Sequence, residues 1–212
     1  MNTRTSALAL FLLLGCSKDV ADHEHEAADI DDLPLGTSNG GGWAASAPDA
    51  PWEFGQINTA LFVTDPGNDG NNAEGLLFLA SGDVTCDAIR DIQNMWSIDG
   101  LIGDHTGLLF GIEVYTDDGN DGPPPSFEGL YMGGYGYGLQ GEERSLYAAA
   151  FDGGEYWIVG GYGGGNTWLR VNTSDNEQIV GEYYASFWAG EFIAVNCGNW
   201  TVTYDTGDYG YY

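Results

Sequence analysis

Two stretches of the chain share the pattern Thr-Asp-x-Gly-Asn-Asp-Gly, at residues 64–70 and 116–122, and a glutamate follows each of them. Calcium binds oxygen atoms of carboxylates, Asn amides and backbone carbonyls, and both stretches are rich in these groups. The sequence therefore offers two candidate calcium sites. Their candidate carboxylate ligands are Asp65, Asp69 and Glu74 in the first copy, and Asp117, Asp121 and Glu128 in the second.

The same residue types also have a purely structural explanation, because Asp, Asn, Gly and Pro are the residues that tight turns prefer. The second copy matches an EF-hand loop at Asp117, Asp121, Gly122 and Glu128. However, Gly119 stands where a side-chain oxygen is required, and residues 123–125 are prolines. The flanking runs are typical of strands, whereas an EF-hand needs helices. The two loops are therefore not EF-hands, and a looser calcium site and two plain turns are both open alternatives.

Aromatic side chains suggest a second kind of chemistry. Trp157, Trp168 and Trp188 lie in predicted strands, and sugars stack on exposed aromatic faces beside carboxylates and amides. A calcium-dependent glycan-binding module is therefore one hypothesis, although aromatic residues also favour strands and fill β cores. A glycoside hydrolase is another, but 32 acidic residues supply carboxylate pairs by composition alone. The sequence lacks metalloprotease, nucleophile-elbow and phosphate-loop motifs, which favours a non-catalytic binding or structural role.

The N-terminal segment MNTRTSALALFLLLGC combines Arg4 with the apolar run 7–14, which is typical of a signal peptide. Its ending, Leu13-Leu14-Gly15-Cys16, resembles the lipobox of bacterial lipoprotein precursors. This resemblance implies that residues 1–15 are removed and that Cys16 becomes acylated. Acyl chains would then anchor the protein to a membrane of the bacterial cell envelope, and Ser17 is compatible with sorting to the outer membrane.

Charge and composition divide the rest of the chain. Residues 16–48 are acidic and then rich in Gly, Ser and Pro, without apolar periodicity, so we expect a disordered tether. Residues 49–212 have enough large apolar side chains for one core and no second linker, which predicts a single domain. The net charge of −27 leaves no basic patch for phosphates, so nucleic acid is not an expected partner, whereas glycans and proteins are.

Within the domain, glycine-rich turns separate short runs of β-branched and aromatic residues. One helix is predicted in CDAIRDIQNMW, residues 86–96, with Thr85 or Asp87 capping its start. We therefore expect a mainly β fold with one short helix, either an antiparallel β-sandwich or a barrel-like sheet. The predicted strands are 57–64, 75–80, 108–115, 128–135, 145–151, 156–161, 167–172, 178–188 and 191–196.

Cys86 and Cys197 remain once Cys16 is set aside. An even pair of cysteines in an exported chain predicts one disulfide, the alternative being two buried free thiols. Residues 82–86 and 180–187, followed by the late cysteine, resemble an exported and mostly uncharacterised type of bacterial domain in which an early and a late cysteine pair. The resemblance implies a β fold with this disulfide, and it implies no particular activity.

Overall fold

The computed structural model describes residues 40–54, 56–64, 72–90, 103, 105–116, 126–136, 142–160 and 167–199. These residues form strands and one short helix, α1 (Cys86–Arg90). The strands are β1 (Gly41–Ser46), β2 (Gln56–Ile57), β3 (Thr59–Thr64), β4 (Asn72–Ala80), β5 (Thr106–Thr116), β6 (Gly129–Gly136), β7 (Glu142–Asp152), β8 (Glu155–Gly160), β9 (Thr167–Ser174), β10 (Gln178–Ala185) and β11 (Trp188–Asn199).

Eight strands close into a barrel in the order β3, β4, β5, β7, β6, β9, β10 and β11, and β11 returns to β3. Among the described strands, β3 and β11 form the parallel pair and the other pairings are antiparallel. β1 and β2 extend the sheet from β11, while β8 pairs with the part of β7 that β6 leaves free. The predicted mainly β fold with one helix is confirmed. The sequence left a β-sandwich and a barrel-like sheet as alternatives, and the structure has the barrel.

Side chains fill the inside of the barrel. Along β10, the alternate residues Ile179, Tyr183 and Ala185 point inward and are buried, as the sequence alternation predicts. The rings of Phe110 and Tyr183 lie 5.4 Å apart across the interior. Burial raises the pKa of the Tyr183 phenol far above its usual value, and the hydroxyl donates to the backbone oxygen of Trp43 at 3.4 Å. An eight-stranded barrel is just wide enough to be filled by its own side chains, so the interior is a core.

A second core lies on the outside of the barrel, where α1 packs against β3 and β11 and the outward side chains of β4 and β5 join the same cluster. Its buried members include Val63 on β3, Phe78 on β4 and Ile89 on the helix. The ring of Phe78 stacks on Phe151 of β7 at 5.3 Å between centroids. Because β3 and β4 are buried on both faces, their sequences are almost continuously apolar instead of alternating.

The disulfide between Cys86 and Cys197 is confirmed and attaches α1 to β11, with 5.2 Å between the two Cα atoms. The helix begins as predicted, since the hydroxyl of Thr85 accepts the backbone N–H of Ala88 at 3.3 Å. Residues 91–96 of the predicted helix lie outside the described residues. Within the part of the chain that is described, no helix has the length and apolar character needed to cross a membrane.

Two features of the sheet differ from the sequence-based expectation. β1 lies inside the segment predicted as tether and pairs with β11 from Gly41 opposite Ile193 to Ser46 opposite Trp188. Its glycines and alanines show no polar–apolar alternation, so no strand was expected. The predicted strand 178–188 is two strands, because the chain turns at Ser186, whose φ is 57°. The sequence pattern favours a turn two residues later, at Trp188-Ala-Gly-Glu, because Gly190 is a typical turn residue, but residues 188–191 belong to β11.

We predict that the double variant Cys86→Ser/Cys197→Ser is less stable than the native chain by about 4–5 kcal/mol, because the disulfide joins residues 111 positions apart and restricts the unfolded chain. Urea denaturation followed by far-UV circular dichroism measures the difference. Cys16→Ser, which removes no disulfide, is the control and should unfold at the native midpoint. An unchanged midpoint in the double variant would contradict a stabilising role for the disulfide.

Candidate functional site

The outer surface of β6, β9 and β10 presents the best-defined candidate site. Inward-pointing Tyr131, Leu169 and Tyr183 occupy the barrel interior, so the residues that alternate with them point outward. Pairing between the three strands aligns the outward residues in two rows. We call this surface the aromatic face, and it consists of Met132, Trp168 and Tyr184 in one row and Leu130, Arg170 and Glu182 in the other.

The first row is apolar and aromatic. Met132 is opposite Trp168, and Trp168 is opposite Tyr184. The rings of Trp168 and Tyr184 are nearly parallel, with 21° between their planes and 6.5 Å between their centroids. Both rings are partly exposed, and Met132 is 56% exposed. The row therefore offers a ligand two aligned rings and a thioether at the surface of a rigid sheet.

The second row supplies hydrogen-bonding groups. Arg170 Nη1 donates to Glu182 Oε1 at 2.7 Å, and their side chains are 51% and 33% exposed. A guanidinium has five N–H donors and a carboxylate has several lone pairs, so this ion pair leaves both donors and acceptors for a ligand. Leu130, which is 44% exposed, completes the row. An ion pair at this exposure contributes little to stability, about 0–1 kcal/mol.

A shallow depression adjoins the second row between β9, β10 and β11. It is lined by Asn172, Val180, Gly181, Glu182, Glu191, Phe192 and Ile193. The pairing of β10 with β9 shifts register between Val180 and Gly181. Such an irregularity changes the direction of neighbouring side chains, and here it occurs beside the two glutamates of the depression.

Glu191 is an unusual member of this surface. It is opposite Glu182 on β10 and opposite Trp43 on β1. Its Oε2 atom and the Nε1 atom of Trp43 are buried, and neither has a hydrogen-bond partner among the described residues. Like charges directly opposite one another destabilise a sheet, and a buried polar atom without a partner costs about 1–3 kcal/mol. The surface therefore retains a locally unfavourable arrangement.

The three tryptophans predicted to stack on glycans occupy different environments. Trp168 belongs to the aromatic face, whereas Trp188 is 1% exposed and belongs to the core, where its ring has no free face for a ligand. Trp157 on β8 is 42% exposed and is not a member of the aromatic face. Its ring packs on Trp52 at 4.7 Å, and Trp52 packs on Trp188 at 4.6 Å, so these three rings form a column that begins in the core.

The predicted calcium ligands are only partly described. Asp65, Asp69, Asp117 and Asp121 lie outside the described residues, as does Cys16. Glu74 lies on β4 opposite Glu113, and Glu128 accepts the backbone N–H of Ser174 at 3.2 Å. Among the residues that are described, no group of three or more His, Cys, Asp or Glu side chains is arranged to hold a metal ion. Calcium binding at the two loops stays a prediction.

Sequence reasoning identified Trp168 but missed the other members of the aromatic face as site residues. Their local signal was the alternation of exposed Leu130 and Met132 with buried Tyr131, and of Trp168 and Arg170 with buried Leu169. The missing information was the register between strands that are distant in sequence.

Comparison of the chain with protein-family models, curated proteins and solved structures finds no match.

We predict that Glu191→Gln stabilises the protein by about 0.5–1 kcal/mol, because it removes a charge opposite Glu182 and replaces a buried carboxylate oxygen without a partner by an uncharged amide group, which costs less to bury. Glu182→Gln is the matched control. It removes the same repulsion but also the ion pair with Arg170, so its gain should be smaller or absent. Urea denaturation at neutral pH measures both variants. A loss of stability in Glu191→Gln would contradict this account of the surface.

Proposed function

We propose that the chain is a lipid-anchored protein of the bacterial cell envelope whose barrel is a non-catalytic binding module. The observation that supports the binding role most directly is the aromatic face. Its side chains come from three adjacent strands of a barrel whose interior is packed with side chains. A ligand of such a barrel is bound on the outer surface or at the ends of the barrel, and the aromatic face is a described part of the outer surface that combines aromatic, apolar and charged groups.

Three properties of this face favour binding over a passive surface. First, Leu130 and Met132 are 44% and 56% exposed and lie beside Trp168, whereas soluble proteins seldom leave neighbouring large apolar side chains exposed without a purpose. Second, aromatic residues, Met and Arg are the side chains enriched where proteins bind their partners. Third, the side chains project from paired strands, so little conformational entropy is lost on binding.

The lipid anchor is proposed from the sequence. The apolar run 7–14 and the ending Leu13-Leu14-Gly15-Cys16 support it, through their resemblance to a lipobox. Export is consistent with the disulfide between Cys86 and Cys197, because disulfides persist in oxidising compartments. An anchored position would hold the barrel near other components of the envelope, where a binding surface has access to ligands.

We predict that the native chain incorporates radiolabelled palmitate and sediments with the membrane fraction, and that Cys16→Ser abolishes both. Acyl chains supply the membrane affinity in this proposal, at about 0.8 kcal/mol for each buried methylene group. Cys86→Ser is the matched control, since it removes a cysteine that lies in the fold and should keep the label. A native chain without label would refute the anchor.

We predict that the Cys16→Ser chain, which has no acyl chains, co-sediments with delipidated envelope fragments of its bacterium and that Trp168→Ala/Tyr184→Ala reduces the bound fraction at least tenfold. Truncating paired anchors in an interface typically has effects of this size. Tyr156→Ala, which removes a 49% exposed tyrosine on β8, is the matched control and should bind normally. Urea denaturation verifies that each variant is folded. Equal retention of all the chains would refute binding through this face.

A further inference from the structure

We infer that the aromatic face binds uncharged pyranose units of a glycan, an inference that rests on the proposed binding function and names its ligand class. On this face the aromatic and apolar side chains of the first row are separated from the hydrogen-bonding groups of the second row. A pyranose with equatorial hydroxyls has the same separation, because its ring faces are formed by C–H groups and its rim by hydroxyls. The two rows of the face match these two parts of the sugar.

The first row, which we call the aromatic row, matches the C–H faces of the sugar ring. Trp168 and Tyr184 are neighbours on paired strands, and 21° separates their ring planes. The faces of aromatic rings are electron-rich and attract the weakly positive C–H groups of a sugar. Two nearly parallel rings on adjacent strands allow consecutive sugar units of one chain to be contacted. Met132 extends the row at its other side and is 56% exposed.

The second row, which we call the charged row, matches the hydroxyl groups at the rim of the sugar. Arg170 and Glu182 lie two residues along their strands from Trp168 and Tyr184, which is a distance of about 7 Å. Hydroxyls both donate and accept hydrogen bonds, so they pair with the free N–H groups of Arg170 and with the carboxylate of Glu182. Asn172 lies in the depression on the far side of this row and adds an amide. A stacked sugar therefore has polar partners along one edge.

Charge selects the class of glycan. The chain has a net charge of −27, and Glu182 and Glu191 both line the depression beside the charged row. This field repels uronic acids, phosphorylated sugars and other anionic glycans, whereas uncharged pyranoses are not affected. A protein partner is less well matched, because the apolar part of the face is limited to the first row and Leu130, and the Arg170–Glu182 ion pair and a carboxylate-lined depression adjoin it.

The test uses the detergent-purified full chain and six-unit oligomers of β-linked glucose, N-acetylglucosamine, xylose and mannose, with oligogalacturonate as the anionic comparison. Tryptophan fluorescence and the indole N–H signals in NMR spectra report binding. We expect at least one uncharged oligomer to bind and oligogalacturonate not to bind. Trp168→Ala and Tyr184→Ala should weaken binding at least tenfold, Trp168→Phe should weaken it less than threefold, and Tyr156→Ala should leave it unchanged.

The outcomes separate this inference from the proposed function. Undiminished binding in Trp168→Ala would overturn the site, and loss of binding in a calcium chelator would move it to the two loops. If no uncharged oligomer binds while co-sedimentation with the envelope still depends on Trp168, the ligand class is wrong and the binding function stands. If both measurements fail, the binding function is refuted as well. Shortened oligomers after incubation would overturn the non-catalytic role.

Discussion

Closure of the sheet is the constraint on which the rest of this structure depends. The parallel pairing of β3 with β11 joins the first and last strands of the ring, and every barrel strand then has one face inside and one face outside. Side chains such as Phe110, Tyr183 and Phe192 must fill an interior of fixed width, so the inside can only be a core. Ligand binding is therefore restricted to the outer surface and to the ends of the barrel.

The outer surface is divided between stability and binding. On β3, β4 and β5 the outward side chains, Phe78 among them, form a second core with Ile89 of α1, and the disulfide attaches that helix covalently to β11. On β6, β9 and β10 no described element covers it, and Met132 and Trp168 reach solvent. Because one side of the barrel already has a complete second core, the other side is free to retain exposed aromatic groups at little cost to stability.

Local elements of this fold were predictable from the sequence, whereas the division of the outer surface was not. The alternation of Ile179, Gly181, Tyr183 and Ala185 predicted the faces of β10, and Thr85 predicted the start of the helix. Closure was not visible, because the pairing of β3 with β11 joins residues more than a hundred positions apart and leaves no periodic signal. β1 was missed for a related reason, since its place in the sheet comes from pairing with β11 and not from its own composition.

The candidate site also depends on strand pairing that the local sequence does not reveal. Trp157, Trp168 and Trp188 are alike in residue type and in predicted secondary structure. Trp157 nevertheless lies on β8, which is not a barrel strand, Trp168 lies on the outer face, and Trp188 lies in the core. Strand register decides among these positions, and a shift of one residue would exchange inside and outside. Register also places Glu182 opposite Glu191, an arrangement that sheet stability alone would not favour. Local departures from stability of this kind are expected where a surface is used for binding, which is a further reason to place the site on this side of the barrel.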